Sequence, residues 1–112
     1  MTLETFEQIK AYIQKHIGEK ITNDRLAKEF AYCHSSLREA FRQYEGISLH
    51  QYVLRAKMHK AKEYLEEGYY AADLPRMLGY SDADLFRKTY KKIIGESAKK
   101  TETRLLKERS KS

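Results

Sequence analysis

Residues 37–48 read LREAFRQYEGIS and residues 86–97 read FRKTYKKIIGES, so one pattern occurs twice in a chain of 112 residues. In both copies two apolar side chains four positions apart are followed by a glycine, Gly46 or Gly95, and then by a serine. The apolar spacing is that of one helix face, glycine ends a helix, and serine begins the next one. The pattern therefore predicts, twice, a helix that stops sharply before another helix starts.

A shorter motif precedes each copy. Residues 26–32 (LAKEFAY) resemble residues 74–80 (LPRMLGY), and the second copy carries one extra residue near the turn. Each copy is thus a short helix, a tight turn and a second helix, which is the size and pattern of a helix-turn-helix. Two copies are too few for a helical solenoid.

Composition limits the classes of protein to which the chain can belong. The formal charge is +6, with 22 Lys and Arg against 16 Asp and Glu, which favours a polyanionic partner. The length excludes most large enzyme folds, and a single valine, Val53, argues against sheet. Cys33 is the only cysteine, so an intramolecular disulfide and a cysteine-based zinc cluster are excluded. Its single cysteine also favours an intracellular location for the protein. The sequence shows no membrane span and no signal peptide.

Apolar periodicity along the whole chain predicts an all-α fold of seven helices. The first helix runs from Leu3 to Ile17, and Thr22 caps a short second helix. Ser48 with Gln51 forms a capping box that opens a long fourth helix. Two helix-turn-helix subdomains, each a tri-helical, homeodomain-like unit, are joined by that linker helix. The boundaries we expect are an N-terminal subdomain at 1–47, the linker helix at 48–67, and a C-terminal subdomain with a charged tail at 68–112, frayed from Lys107 onward.

In such a unit the outer face of the second helix is free to enter the DNA major groove. The candidate contacts in the first copy are His34, Ser35, Ser36, Arg38, Glu39 and Arg42, and those in the second are Ala83, Asp84, Arg87, Lys88 and Lys91. Arginine binds guanine through two hydrogen bonds, and serine and histidine bond base edges or phosphates. Arg38, Arg42 and Arg87 are the leading candidates, with Arg38 reading a base. Since Ala83 and Asp84 offer few donors, we expect the first copy to carry more of the base readout.

A series of motifs runs through the chain in a fixed order. They are Leu26-Ala27, Leu37-(x)3-Phe41-Arg42, Glu45-Gly46-Ile47-Ser48, Tyr52, Lys57-Met58-(x)2-Ala61, Leu65, Gly79-Tyr80-Ser81-Asp82, Phe86-Arg87-Lys88-(x)-Tyr90-Lys91-Lys92 and Gly95. Over residues 6–100 their order and spacing resemble the DNA-binding domain of the AraC/XylS family of bacterial transcription regulators. The resemblance implies that the two reading helices enter successive major grooves, so that one monomer reads a long asymmetric site on double-stranded DNA.

The same resemblance implies a bacterial cytoplasmic, nucleoid-associated regulator, more an activator than a repressor, with no enzyme activity, no cofactor and no evident small-molecule ligand. Two arrangements stay open. The chain is either a complete small regulator, similar to the stand-alone multidrug- and stress-response activators, or the C-terminal part of a longer protein with a sensor domain. Met1 weakly favours the first.

Several positions depart from the family pattern. Pro75 replaces a small residue, and we expect Asp73 to cap a shortened helix that carries Pro75 in its first turn. Cys33 takes the usual serine cap position and is expected to be structural, and Glu39 stands where a basic residue is common. Ser97-Ala98 and Thr101-Glu102 replace Ser-Pro and Tyr-Arg, so the last helix is expected to dock differently.

Some features keep a simpler interpretation. The tyrosines fit core filling better than stacking on single strands, with Tyr69 and Tyr70 as exceptions, and the four histidines lack metal-ligand spacing. The cations of the linker helix either form a solvated face or contact RNA polymerase or phosphate; they are Arg55, Lys57, Lys60 and Lys62. The competing class is a basic helical module that binds RNA or protein and does not recognise a specific duplex.

Overall fold

Seven α-helices and one 3₁₀ turn form residues 1–110, the part of the chain that a computed structural model describes, and no strand occurs among these residues. The helices are α1 (Leu3–Lys15), α2 (Asn23–Phe30), α3 (His34–Tyr44), α4 (Leu49–Glu66), α5 (Leu74–Met77), α6 (Ala83–Ile94) and α7 (Ala98–Ser110), and the 3₁₀ turn (Ala71–Asp73) precedes α5. The predicted all-α fold class, with seven helices and tandem helix-turn-helix units, is confirmed.

The helix boundaries follow from local chemistry at the positions that the sequence marked. The hydroxyls of Thr22, Ser48 and Ser97 each accept a hydrogen bond from the amide three residues on, at 3.2, 3.2 and 3.1 Å. Each bond satisfies one of the free amides at a helix start. Gly46 and Gly95 have φ of +74° and +98°, a region that L side chains rarely adopt, and they end α3 and α6.

The turns of the two helix-turn-helix units use different residues for the same backbone conformation. Gly79 turns the chain between α5 and α6 with φ +77°, and Ala31 holds the equivalent place between α2 and α3 with φ +57°. A left-handed conformation costs an L residue about 1–2 kcal/mol, whereas glycine adopts it freely. Strain is therefore present at this turn in the first copy and absent from the second.

The helices form two compact units that divide inside α4, with unit 1 at residues 1–56 and unit 2 starting at Lys57. In unit 1, Phe6 and Phe41 are fully buried and meet edge to face with ring centroids 4.9 Å apart. The remaining buried side chains of unit 1 come from α1, α2, α3 and the start of α4, together with Ile17, which follows α1. Each unit thus has its own apolar core, and burying one such side chain contributes about 1.5–3 kcal/mol.

The core of unit 2 is built from the second half of α4 together with α5, α6 and α7. Phe86 and Tyr90 are fully buried, and the Tyr90 hydroxyl donates to Thr101 Oγ1 at 3.0 Å. Most tyrosines fill or flank the two cores, as predicted, whereas Tyr69 and Tyr70 are 46% and 62% exposed.

Helix ends differ from prediction in two places. α1 stops at Lys15, two residues before Ile17, although Ile17 is still buried. Pro75 lies in the first turn of a four-residue α5, as expected, but Asp73 makes no capping hydrogen bond with its side chain. Its carboxylate instead lies 3.6 Å from the Arg76 guanidinium. The 3₁₀ turn leads directly into α5 at this point, so Asp73 already has helical backbone angles and cannot act as an extended cap.

The interpretations of the tail and of one linker cation were wrong. α7 continues to Ser110, and Arg109 donates to the carbonyl oxygens of Leu65, at 3.3 Å, and Glu66. These hydrogen bonds from Arg109 to the carbonyl groups at the end of α4 hold the tail in place. The predicted fraying at Lys111 and Ser112 lies outside the described residues. Lys57 is 7% exposed and donates to the Leu78 carbonyl oxygen at 2.8 Å, so it is not part of a solvated face.

Candidate nucleic-acid interface

The outer face of α3 is the first of two surfaces on which the predicted contacts lie. Leu37 and Phe41 have no exposed surface and fix the helix against the core of unit 1. The candidate side chains on the opposite face are exposed or, for Ser36, half-buried; they are His34, Ser35, Ser36, Arg38, Glu39 and Arg42. A rigidly packed helix with polar side chains on its outer face is the geometry that major-groove reading requires.

The start of α3 holds a thiol with unusual acidity. Cys33 is exposed, and its Sγ lies 3.2 Å from both Ser35 Oγ and Ser36 Oγ. Hydrogen bonds from these two hydroxyls favour the thiolate and lower the pKa of Cys33 to about 6. The two serines predicted to contact DNA are therefore engaged with Cys33. We expected Cys33 to have only a structural role, and that expectation did not include an acidic thiol.

The charged side chains of α3 differ in whether they already have partners. His34 Nε2 lies 2.7 Å from Asp24 Oδ1 of α2, and the His34 side chain is about half exposed. Within residues 1–110, Arg38 and Arg42 form no ion pair, and neither does Glu39. Both arginines are thus available to an anionic ligand, with the Glu39 carboxylate beside them.

The outer face of α6 is the second surface. Asp82 caps this helix, since its Oδ1 accepts from the amides of Asp84, at 2.9 Å, and Leu85, at 3.2 Å. All five predicted residues are exposed; they are Ala83, Asp84, Arg87, Lys88 and Lys91. The Arg87 guanidinium donates to the Asp84 carboxylate one turn earlier. One of the three leading arginines is thus held by an acid on its own helix.

Each unit also has an open cleft beside its reading helix. The cleft of unit 1 has a volume of about 390 Å³ and that of unit 2 about 500 Å³. The first is lined by Asn23, Arg38, Arg42, Gly46, Ile47, Ser48, Leu49, His50 and Gln51, and the second by Tyr70, Ala71, Ala72, Pro75, Ala83, Arg87, Ser97, Ala98, Lys99 and Glu102. In both, the lining includes the arginine after the first apolar residue of the repeat and the serine that opens the next helix.

The clefts add residues that the sequence reasoning missed. Residues at the starts of α4 and α7 line them, including His50 and Gln51 in unit 1 and Lys99 in unit 2. Free amides at a helix start favour an anion such as phosphate. The register of the repeat was the available signal, because it aligns Ser48 with Ser97 and therefore the helix starts with each other.

Glu102 brings a negative charge into the unit 2 cleft. It is 8% exposed, and its Oε2 accepts from the Ala71 amide at 3.3 Å, at the start of the 3₁₀ turn. The Glu102 side chain thus caps a backbone segment. The cleft of unit 2 combines this carboxylate with the cations of Arg87 and Lys99.

The part of the chain that contains the repeat matches a family of known proteins. A family model described as a helix-turn-helix domain matches residues 26–104, which is well over half of the chain. The chain belongs to the AraC-type helix-turn-helix family. The AraC-type domain is 32% identical over 98 residues to the bifunctional transcriptional activator/DNA repair enzyme AdaA of Bacillus subtilis, covering 84% of this chain and 45% of AdaA.

Solved structures show the same fold. The DNA-binding domain of the global transcriptional factor AdpA, solved in complex with a target DNA, superposes with a TM-score of 0.84 at 17% identity, over 95% of this chain and 96% of that one. An AraC-type transcriptional regulator from Chromobacterium violaceum gives a TM-score of 0.78 at 19% identity, over 85% and 86%. The AraC-type domain spans less than half the length of the curated relatives it matches.

Among residues 1–110 no helix has the length and hydropathy that crossing a bilayer requires. In the same residues no group of three or more His, Cys, Asp or Glu side chains is arranged to hold a metal ion.

Proposed function

We propose that this AraC-type domain binds double-stranded DNA at a specific sequence through α3 and α6 and so regulates transcription. One observation carries the proposal. The same arrangement, an apolar-anchored helix with an exposed cationic face beside a capped helix start, is built twice in one chain. The AdpA domain, which has the same fold, was solved with DNA. Two reading helices in one monomer need no palindromic site.

In α3 the free guanidinium groups of Arg38 and Arg42 are the principal donors, and Arg38 reads a base edge. His34, Ser35, Ser36 and Glu39 complete this surface and set its preference among bases. In α6, Arg87, Lys88 and Lys91 supply the positive charge, and Ala83 and Asp84 lie in the first turn. The amides at the starts of α4 and α7 hold phosphates and set the register of the protein on the duplex.

The wider role that we propose follows the relatives. The name of AdaA describes a transcriptional activator, which favours activation here, with contact to RNA polymerase as part of it. The site of action is the bacterial cytoplasm, at the nucleoid. The matched region corresponds to less than half of AdaA, and we assign this domain a binding role without catalysis. The division of the chain that we propose is an N-terminal subdomain at 1–47, a linker helix at 48–67 and a C-terminal subdomain at 68–112.

Selection of duplexes from a random library, followed by footprinting, tests the proposal. We expect one monomer to protect about two turns of one duplex face. The variant Arg38→Ala/Arg42→Ala is expected to lose the footprint, while the control Lys15→Ala/Lys20→Ala, which removes the same charge from α1 and the following loop, keeps it. Equal affinity for all duplexes, or a preference for single strands, would refute the proposal, and a preference for single-stranded RNA would favour the competing RNA-binding class.

A further inference from the structure

The first turn of α6 exposes a large apolar side chain that the candidate contacts do not include. Leu85 is 54% exposed. Its amide donates to Asp82 Oδ1 at 3.2 Å, and its carbonyl oxygen accepts from the Thr89 hydroxyl at 2.8 Å. The backbone is thus fixed on both sides, and the side chain stays on the outer surface of the helix, one turn before Lys88.

The neighbours of Leu85 leave the first turn of α6 with little free hydrogen-bonding capacity. Ala83 presents only a methyl group, and the Asp84 carboxylate is held by Arg87. In unit 1 the equivalent of Leu85 in the repeat is Ser36, whose hydroxyl lies 3.2 Å from Cys33 Sγ. The same helix position is therefore apolar in one unit and polar in the other.

The chemistry of the groove limits what such a side chain can contact. This step rests on the proposed function, in which α6 enters a major groove. Most groups on the groove floor are hydrogen-bond donors or acceptors, and the C5 methyl of thymine is its apolar group. A leucine set against donors or acceptors would remove their water without replacing the hydrogen bonds, which is unfavourable. Against a methyl group it buries apolar surface on both sides.

We propose that Leu85 recognises a thymine through contact with its C5 methyl group. The second unit then reads an A·T pair by apolar contact, while the first unit reads through the hydrogen bonds of its arginines. Leu85 is a specificity-determining residue in this assignment, and Lys88 and Lys91 on the same helix supply affinity that does not depend on sequence.

A methyl-deletion scan tests the assignment directly. Each thymine of the selected duplex is replaced in turn by deoxyuridine, which lacks only the methyl group, and affinity is measured for the wild type, Leu85→Ala and Leu106→Ala. Leu106 is a matched control because it is 47% exposed and lies on α7. Circular dichroism of all three proteins shows whether the fold is kept, and a leucine to alanine change on an exposed helix surface preserves helix propensity.

The expected result is one position at which deoxyuridine weakens wild-type and Leu106→Ala binding about fourfold, the factor that corresponds to one buried methyl group. At that position Leu85→Ala is expected to bind thymine and deoxyuridine equally. If every deoxyuridine penalty is the same in wild type and Leu85→Ala while the footprint persists, the role of Leu85 is refuted and the proposed function stands. If the wild type selects no duplex, both are refuted.

Discussion

Replacing Asp84 with alanine should tighten DNA binding, which makes this change a strict test of how α6 is used. Asp84 and Arg87 are paired on the exposed face of α6, with 74% and 63% of their side chains exposed. An exposed pair three residues apart on a helix stabilises the helix by only about 0.2–0.5 kcal/mol, and an acid in a first helical turn adds about 0.3–1 kcal/mol. The variant should therefore remain folded, with a free Arg87 and one negative charge fewer opposite the phosphates.

The size of the expected change in DNA affinity follows from counterion release. One additional effective charge makes the slope of log K against log salt steeper by about 0.9, so that a fourfold rise in salt from 50 to 200 mM changes affinity by a further ~3.5-fold. Asp84→Ala should thus bind a selected duplex more tightly than wild type at 50 mM salt, and the advantage should shrink about 3.5-fold by 200 mM. Fluorescence anisotropy titrations at three salt concentrations measure both quantities.

The control is Glu63→Ala on α4, because Glu63 pairs with Lys60 at 3.3 Å with the same three-residue spacing. It removes the same charge from a helix that is not proposed to read bases. Equal slopes for Asp84→Ala and Glu63→Ala would refute the reasoning, because the gain would then be a general charge effect. If Asp84→Ala instead binds more weakly and loses discrimination at one base pair, the predicted gain is also refuted. That result would show that Asp84 itself accepts a hydrogen bond from a base.

Three further outcomes are expected. Arg38→Ala should lose discrimination at one base pair, about 1–3 kcal/mol, whereas Lys91→Ala should weaken all sequences alike and flatten the salt slope; identical behaviour would remove Arg38 from base readout. Because the pKa of Cys33 is lowered to about 6, its alkylation by iodoacetamide should reach half its maximal rate near pH 6, and a midpoint near that of an ordinary thiol would contradict the serine hydrogen bonds. Lys57→Met should lower the free energy of unfolding in urea by about 1–3 kcal/mol, since it leaves the Leu78 carbonyl without its bond from Lys57; an unchanged midpoint would show that this bond contributes nothing.

Local pattern predicted much of this fold, because its decisive signals lie within a few residues of one another. The caps at Thr22, Ser48 and Ser97 and the stops at Gly46 and Gly95 depend on neighbouring backbone only, and the sequence predicted all five. The repeat supplied the second helix-turn-helix unit, since the register between its copies aligns α6 with α3.

Contacts between residues far apart in sequence were not predictable in this way. Lys57 and Leu78 are 21 residues apart and Arg109 and Leu65 are 44 apart. A long cation normally keeps its charge in water, and no local rule shows that a particular carbonyl needs a donor. The Asp84–Arg87 pair is different, because its three-residue spacing on a helix was visible in the sequence and indicates such a pair.

The separate cores of the two units have a consequence for how the recognised DNA sequence changes over generations. The buried residues that hold α3 and those that hold α6 belong to different clusters. Substitutions at sites with no shared partners have nearly additive effects on stability. A mutation in the outer helix of one unit is therefore expected to leave the stability of the other unit unchanged. Under the proposed function, the half of the DNA site that one unit reads can therefore change while the other half is still bound, so that new sites are acquired stepwise.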